Sequence, residues 1–216
     1  MANIQQYGAI PGNGAGPPNY VLLARLGECD HRIRNNLQII ASALALQARE
    51  SADEQVQDAL LTAGRRVSAV ARVHEWLQAA DGDDRVEAAG LLSGLCEDLR
   101  QSLGRPRSLC ITLDAQRGDL SNQTAVALVL VVNELVTNAV KHAYAGQGGE
   151  IRVRLRRESG GWRLTVADDG RGLPEDLWTE PGGGGLRLLA LLMRQLGGQL
   201  SADPVPNGAS LSVRFA

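Results

Sequence analysis

Residues 125–142 read AVALVLVVNELVTNAVKH. The apolar run from Ala125 to Val132 is unbroken and stops at Asn133-Glu134. A run this apolar belongs inside a protein, and its polar continuation points to a helix that reaches a site. Glu134, Asn138 and Lys141 follow at steps of four and three, so a helix projects them from one face. An amide oxygen and a carboxylate suit Mg²⁺, which takes few protein ligands and keeps waters and phosphate oxygens. Lys141 suits a phosphate as a point charge. It is the only lysine among 22 Lys and Arg residues. A plain polar helix face is the alternative, and the apolar remainder of the segment argues against it.

The segments around this helix, predicted over 121–144, define an α/β unit. A helix at 87–103 and a strand at 108–114 precede it. Strands at 150–157 and 162–168 follow, joined by Glu158-Ser-Gly-Gly. A Gly/Pro-rich loop spans 169–184, then a helix at 185–196 and strands at 199–203 and 209–215. This pattern predicts one mixed sheet with helices on one face. Upstream, the period is helical over 20–50, with Leu23, Leu26, Ile33, Leu37, Ile40, Leu44 and Gln47 on one stripe. A second helix runs to Leu77 with Val56, Leu60, Val67 and Val70 along it. Ser51 followed by Glu54 reads as its capping box. Two such helices form a hairpin whose apolar stripe needs a cover, either a second copy or the rest of the chain. The expected class is α+β: a flexible Gly/Pro/Asn-rich tail at 1–18, a helical hairpin at 19–80 (a four-helix bundle if dimeric), and an α/β sandwich at 85–216. Asp81-Gly-Asp-Asp is the hinge.

The first helix carries Glu28-Cys29-Asp30-His31-Arg32-Ile33-Arg34-Asn35-Asn36-Leu37-Gln38. An imidazole is a nucleophile near neutral pH when one nitrogen is free and the other is held as N–H. Glu28 shares the His31 face, Asp30 adjoins it, and either carboxylate is able to fix the tautomer. Asn35, one turn on, is placed to position a water or a phosphoryl oxygen. A solvated polar helix face is the plainer alternative.

Past the long helix come Asp168-Asp169-Gly170-Arg171-Gly172 at a strand end and Pro181-Gly182-Gly183-Gly184-Gly185-Leu186-Arg187 before a helix. A strand-end aspartate is able to accept a hydrogen bond from an exocyclic amine such as that of adenine. Glycine-rich backbone entering a helix N-terminus is an anion site in principle. Each loop alone is a weak signal.

In this order the blocks resemble a two-component sensor histidine kinase. H-R-I-R-N-N-L-Q from His31 is similar to the phosphoacceptor box of the H-R-x-x-N-N-L-Q subfamily, close to the HWE kinases. N-E-L-V-T-N-A-V-K-H resembles its asparagine box, and D-D-G-R-G and G-G-G-G-L-R-L its glycine boxes. Ala71-Arg-Val-His74-Glu-Trp76 resembles the end of its second helix, where His74 reads as structural. The resemblance covers about residues 20–216. It implies a Bergerat-type ATP-binding domain joined to a dimerisation and phosphotransfer hairpin. His31 would take the γ-phosphoryl group of ATP and pass it to an aspartate on a response regulator receiver domain. Asn138 would hold Mg²⁺, Glu134 would polarise the attack or the metal waters, and Asp168 would read adenine. Gly170, Gly172, Gly183 and Gly185 would shape the nucleotide pocket. Arg34 stands where the subfamily has Lys, Gly184 where it has Leu, and Ala209 where it has Thr. These departures bear on ATP affinity rather than on fold.

Composition narrows the alternatives. The chain has 216 residues, a formal net charge of −2 and 3% aromatics. That balance disfavours a nucleic-acid partner bound through bulk charge or base stacking. Cys29, Cys96 and Cys110 are widely spaced, without metal-ligand spacing, and read as free thiols of a reducing compartment. No secretory signal or membrane-length apolar run is apparent, so the expected location is the cytoplasm. The tail is too short for an elaborate sensor, so input is expected from a separate sensor protein unless the chain is a fragment. The runner-up function is a histidine phosphotransferase or response-regulator phosphatase with a degenerate ATP site. A Bergerat ATPase or serine kinase without phosphohistidine is disfavoured by the intact H-R-x-x-N-N box.

Overall fold

The computed structural model of the chain describes residues 19–79, 85–102, 109–144, 148–173 and 184–216, with the side chains of 19–31 and 77–79 outside the description. The expected tail at 1–18, the hinge at 81–84 and Gly183 therefore lie outside the described residues.

Helices α1 (Asn19–Glu50) and α2 (Glu54–Ala79) form the hairpin. The cap of α2 is Asp53 rather than Ser51: its Oδ1 accepts from the Gln55 and Val56 N–H groups at 2.8 and 3.3 Å. Ser51 instead braces the turn, its Oγ accepting from the Asp53 N–H at 3.2 Å. The helix starts at Glu54, which puts Asp53 at the N-cap, where a short carboxylate reaches the orphan N–H groups. The two helices meet through small residues. Ala48 is buried, and a Cβ at Gly64 would lie 3.6 Å from the Ala41 carbonyl. Close approach of the backbones leaves larger apolar residues outside: Ile33, Ile39, Ile40 and Leu46 of α1 are exposed. Ile33 and Ile40, on the apolar stripe that needs a cover, are left exposed by the hairpin itself.

Beyond the hairpin run β1 (Arg85–Glu87), α3 (Ala88–Ser102), β2 (Leu109–Ala115), β3 (Asp119–Ser121), α4 (Asn122–His142), β4 (Gly149–Glu158), β5 (Gly161–Asp168), α5 (Gly184–Leu196), β6 (Gln199–Ala202) and β7 (Ala209–Phe215). The sheet has the order β2-β4-β5-β7-β6; β2 runs parallel to β4 and the other pairings are antiparallel. The short strands β1 and β3 pair separately, with Val86 opposite Leu120. Alternation decides which residues enter the core. Ile151, Val153 and Leu155 of β4 lie opposite Asp168, Val166 and Leu164 of β5 on one buried face. Asp168 thus continues the phase of Trp162, Leu164 and Val166, so the strand delivers a carboxylate to the helix-covered side of the sheet.

Helix α4 is the centre of the core. Leu128, Val129, Val131, Val132 and Val136 are fully buried. An 18-residue window of α4 has mean hydropathy 1.5, enough in length and composition to cross a membrane, but 67% of that window is buried inside the fold. That burial marks it as a core helix. Its start is capped by Ser121, whose Oγ accepts from the Thr124 N–H at 3.1 Å. Helix α2 shares this core: Ala69 and Val73 are buried in the same cluster, and Trp76 packs against it. Intramolecular docking therefore covers part of the hairpin.

Candidate functional site

As α4 leaves the core it opens onto a cavity of about 540 Å³. Glu134, Asn138 and Lys141 all line it, as their helical spacing predicts, together with Thr137 and His142. Asp168 and Gly172 reach it from the end of β5 and the turn beyond, Gly185 from the start of α5, and Ala209 and Leu211 from β7. The strand phase that buries Asp168 explains its presence. Burial pushes its carboxyl up from the ordinary aspartate value, against the backbone N–H groups of Gly170 and Ala209 that donate to it. The Gly170 N–H lies 3.0 Å from Asp168 Oδ1.

The glycines are spaces that other atoms need. A Cβ on Gly170 would fall 2.4 Å from the Ala143 Cβ, so the turn after β5 closes tightly on the end of α4. Gly172, which has φ +88°, stands beside Gly208, which has φ +74°. A Cβ on Gly185 would sit 3.2 Å from Glu134 Oε2 and under 4 Å from the Asn138 amide. The first turn of α5 therefore lies directly over the two polar groups of α4.

Helix α2 forms the remaining wall. The Arg66 guanidinium grips Glu134 at both oxygens, Nε to Oε1 and Nη2 to Oε2, each at 2.7 Å. Glu134 is only 3% exposed, and a carboxylate buried that deeply needs such a partner. The bond to Glu134 in turn raises the Arg66 pKa above its ordinary value. Two turns further along α4, Lys141 Nζ donates to both Asp58 oxygens at 2.7 and 2.8 Å and to Thr62 Oγ1 at 3.1 Å. The lysine expected to meet a phosphate meets an aspartate of α2 here.

Sequence reasoning missed Arg66, Asp58 and Thr62. The available signal was Glu134 itself, since a carboxylate inside an apolar helix implies a cation on a neighbouring element. His31 and Asp30 lie within α1, with side chains outside the described set, and Asn35 is exposed on the same helix. Asn35 is not among the residues that line the cavity. The ion pair between Arg34 and Glu75, 3.5 Å long, sets the pairing of α1 with the far half of α2. His74 is half-buried there, beside the Trp76 that fills the space over Gly94.

Residues 28–103 match the family described as histidine kinase, and residues 123–216 match the family described as histidine kinase-, DNA gyrase B- and HSP90-like ATPase. The chain belongs to the histidine kinase family, in its HWE-like branch. It is 31% identical over 191 residues to the sensor histidine kinase PdtaS of Mycolicibacterium smegmatis, spanning 87% of this chain and 38% of that protein. It is 29% identical over 195 residues to blue-light-activated histidine kinase 2 of Erythrobacter litoralis, spanning 88% of this chain and 56% of the relative. A solved Erythrobacter litoralis blue-light activated histidine kinase superposes with a TM-score of 0.67 at 26% identity, covering 89% of this chain and 58% of that one. The chain thus spans less than two thirds of the length of these curated relatives.

The cavity of this histidine kinase fits a nucleotide on its own geometry. Thr137 Oγ1 is buried at the cavity wall and has no hydrogen-bond partner. The absence of a Cβ at Gly185 lets the α5 backbone come close to Glu134 and Asn138 at the cavity wall. Among the described residues no cluster of three His, Cys, Asp or Glu side chains is arranged to hold a metal. An amide oxygen completed by phosphate oxygens and water suits Mg²⁺ instead.

Proposed function

We propose that this chain is an ATP-dependent protein-histidine kinase that phosphorylates His31 and passes the phosphoryl group to an aspartate of a response regulator receiver domain. The convergence of Glu134, Asn138, Lys141, Asp168 and Gly185 on one cavity carries the proposal. Asp168 accepts from the exocyclic amine of adenine. Gly170 and Gly172 shape the turn beside it, and Gly185 at the start of α5, with Gly183 two residues before it in sequence, receives the phosphates. Asn138 supplies the protein ligand of Mg²⁺, Lys141 pairs with phosphate, and Glu134 orients metal-bound water or polarises the attack. Bound Mg²⁺ neutralises charge on the phosphate oxygens. The lone pair of one His31 ring nitrogen forms the N–P bond as the bond from γ-phosphorus to the bridging oxygen breaks, and ADP leaves. The proton on the other ring nitrogen passes to Glu28 or Asp30, and Asn35 steadies the phosphoryl product. Phosphoryl transfer asks mainly for positioning and charge neutralisation, which these groups supply.

The expected homodimer finds support in the exposed band of α1. Ile33 and Ile40, and Ile39 and Leu46, recur two turns apart, beside exposed Val56 and Leu61 of α2. A cytoplasmic location and a separate sensor protein remain part of this proposal.

Incubation with γ-labelled Mg·ATP tests the reading: acid-labile, base-stable label on the protein supports it. The grip of Arg66 on Glu134 favours one second reading, a phosphotransferase or phosphatase with little use for ATP. No label from ATP, with label accepted from a phosphorylated regulator, selects that reading.

A further inference from the structure

Helices α2 and α4 line a second cavity, of about 520 Å³, that shares no residue with the nucleotide cavity. It lies between the hairpin and α3. Consecutive residues serve the two spaces: Arg66 and Glu134 line the nucleotide cavity, Arg65 and Asn133 the second one. Neighbours on a helix point about 100° apart, so each helix sends one polar group to each cavity.

The two sets differ in how they are satisfied. Arg66 and Glu134 bond each other, whereas Arg65 and Asn133 do not. Arg65 Nη2 donates to Thr62 Oγ1 at 2.9 Å, but its Nε is buried without a hydrogen-bond partner. Among the described residues no carboxylate pairs with Arg65. Asn133 is 4% exposed, lines the cavity and makes no side-chain hydrogen bond among the described residues. Such groups are costly to bury unless something bonds them. The other charges on the wall cancel, since Arg72 donates to Asp98 Oδ1 at 2.5 Å. Arg65 is therefore the unbalanced cation of an otherwise apolar space bounded by Ala45, Leu61, Leu95 and Leu99.

We propose that this second cavity binds a small amphiphilic carboxylic acid, its carboxylate held by Arg65 and the Asn133 amide and its apolar body laid against the leucines of α2 and α3. The volume falls in the range that takes small organic ligands, about 300–1,000 Å³. A guanidinium presents parallel N–H donors that match a planar carboxylate, and the bonds are charge-assisted. Arg65 and Asn133 adjoin Arg66 and Glu134, which touch, so they stand on neighbouring turns of facing helices. A cationic head would meet Arg65 with like charge, and a neutral head would leave that charge unbalanced. The inference goes beyond the kinase reading and does not depend on it.

Calorimetric titration of the full chain with octanoate, octanol and octylammonium tests this, because the three probes share one tail and differ only in the head. Octanoate should bind one molecule per chain, octanol about tenfold more weakly, and octylammonium more weakly still. Arg65→Gln breaks no ion pair, so the fold is retained; it should weaken octanoate about tenfold and leave octanol unchanged. Ala45→Phe fills the space from the α1 side and should weaken octanoate and octanol together. Circular dichroism of each variant checks its folded state. Failure of octanoate to bind the wild-type chain, equal affinity for the three probes, or octanoate binding unaltered in Arg65→Gln would overturn the proposal. So would a dimer, seen by light scattering, that Ala45→Phe dissociates and octanoate leaves intact, because the cavity would then belong to a second copy of the chain.

Discussion

Gly208 supports Asp168 from the adjoining strand end, and replacing it with alanine should damage stability and adenine recognition together. Its φ is +74°, a left-handed conformation that costs an L-residue about 1–2 kcal/mol. A Cβ there would lie 1.9 Å from the Asp168 carbonyl oxygen and 2.8 Å from the Asp169 Cα. Both obstacles are main chain, so no side-chain rotation relieves them. The β5–β7 register, with Asp168 opposite Ala209, must open at its end. Backbone strain of that kind costs about 1–3 kcal/mol more. The sum is about 2–5 kcal/mol, or roughly 4–20 °C in Tm for a chain of this size. Gly160 provides the control. Its φ is +93° and nothing lies within 4 Å of its missing Cβ, so Gly160→Ala should lose only the conformational share, about 1 kcal/mol. Denaturant unfolding of the two variants measures the difference, and nucleotide titration of Gly208→Ala should show weakened ATP binding. Equal stability of the two variants, or unaltered ATP affinity in Gly208→Ala, would refute the reasoning.

At Gly94 an added Cβ would meet the Trp76 ring at 2.2 Å. Gly94→Ala should lose about 1 kcal/mol net, overpacking outweighing the gain in helix propensity. In a Trp76→Leu background that loss should vanish, as a double-mutant unfolding cycle would reveal. The Asp169 carboxyl is held below its usual range by the Glu150 N–H at 2.9 Å and then by the Tyr144 hydroxyl at 2.8 Å. Its contribution is full above about pH 4, the ordinary aspartate value, and is lost as pH falls through the depressed one. Asp169→Asn should therefore be less stable than wild type at pH 7, with the gap closing in acid; a pH-independent gap in urea midpoints would contradict this. Asn138→Asp should abolish Mg·ATP-dependent labelling with the circular dichroism unchanged, and wild-type labelling rates would remove Asn138 from the metal.

The long helix was legible because its apolar run and its polar face obey one period, and the structure keeps Glu134, Asn138 and Lys141 on one cavity wall. Asp168 was legible as a strand-end carboxylate; its burial follows from the two-residue phase it shares with Trp162, Leu164 and Val166. Strands β1 and β3 escaped the sequence because each contributes a single buried residue, Val86 or Leu120, too little for any period. Arg66 escaped for a different reason. The burial of Glu134 demands a cation, but nothing in the spacing of either helix fixes how α2 slides along α4. That register comes from three-dimensional packing, with Val73 in the shared core and Trp76 over Gly94. Ile33 and Ile40 were legible as an apolar stripe in need of a cover, but periodicity alone does not say whether a second copy or the rest of the chain supplies it.

The central claim is that the phosphoryl group of ATP arrives on His31. The chain has three histidines, and His31→Gln, His74→Gln and His142→Gln separate them. Each variant is incubated with γ-labelled Mg·ATP, scored for acid-labile and base-stable label, and then offered a receiver domain. His31→Gln should take up no label and transfer none, His74→Gln should keep both activities in proportion to its folded fraction, and His142→Gln, at the cavity edge, should keep histidine labelling at an altered rate. Label that persists in His31→Gln and passes on to the receiver domain would contradict the account.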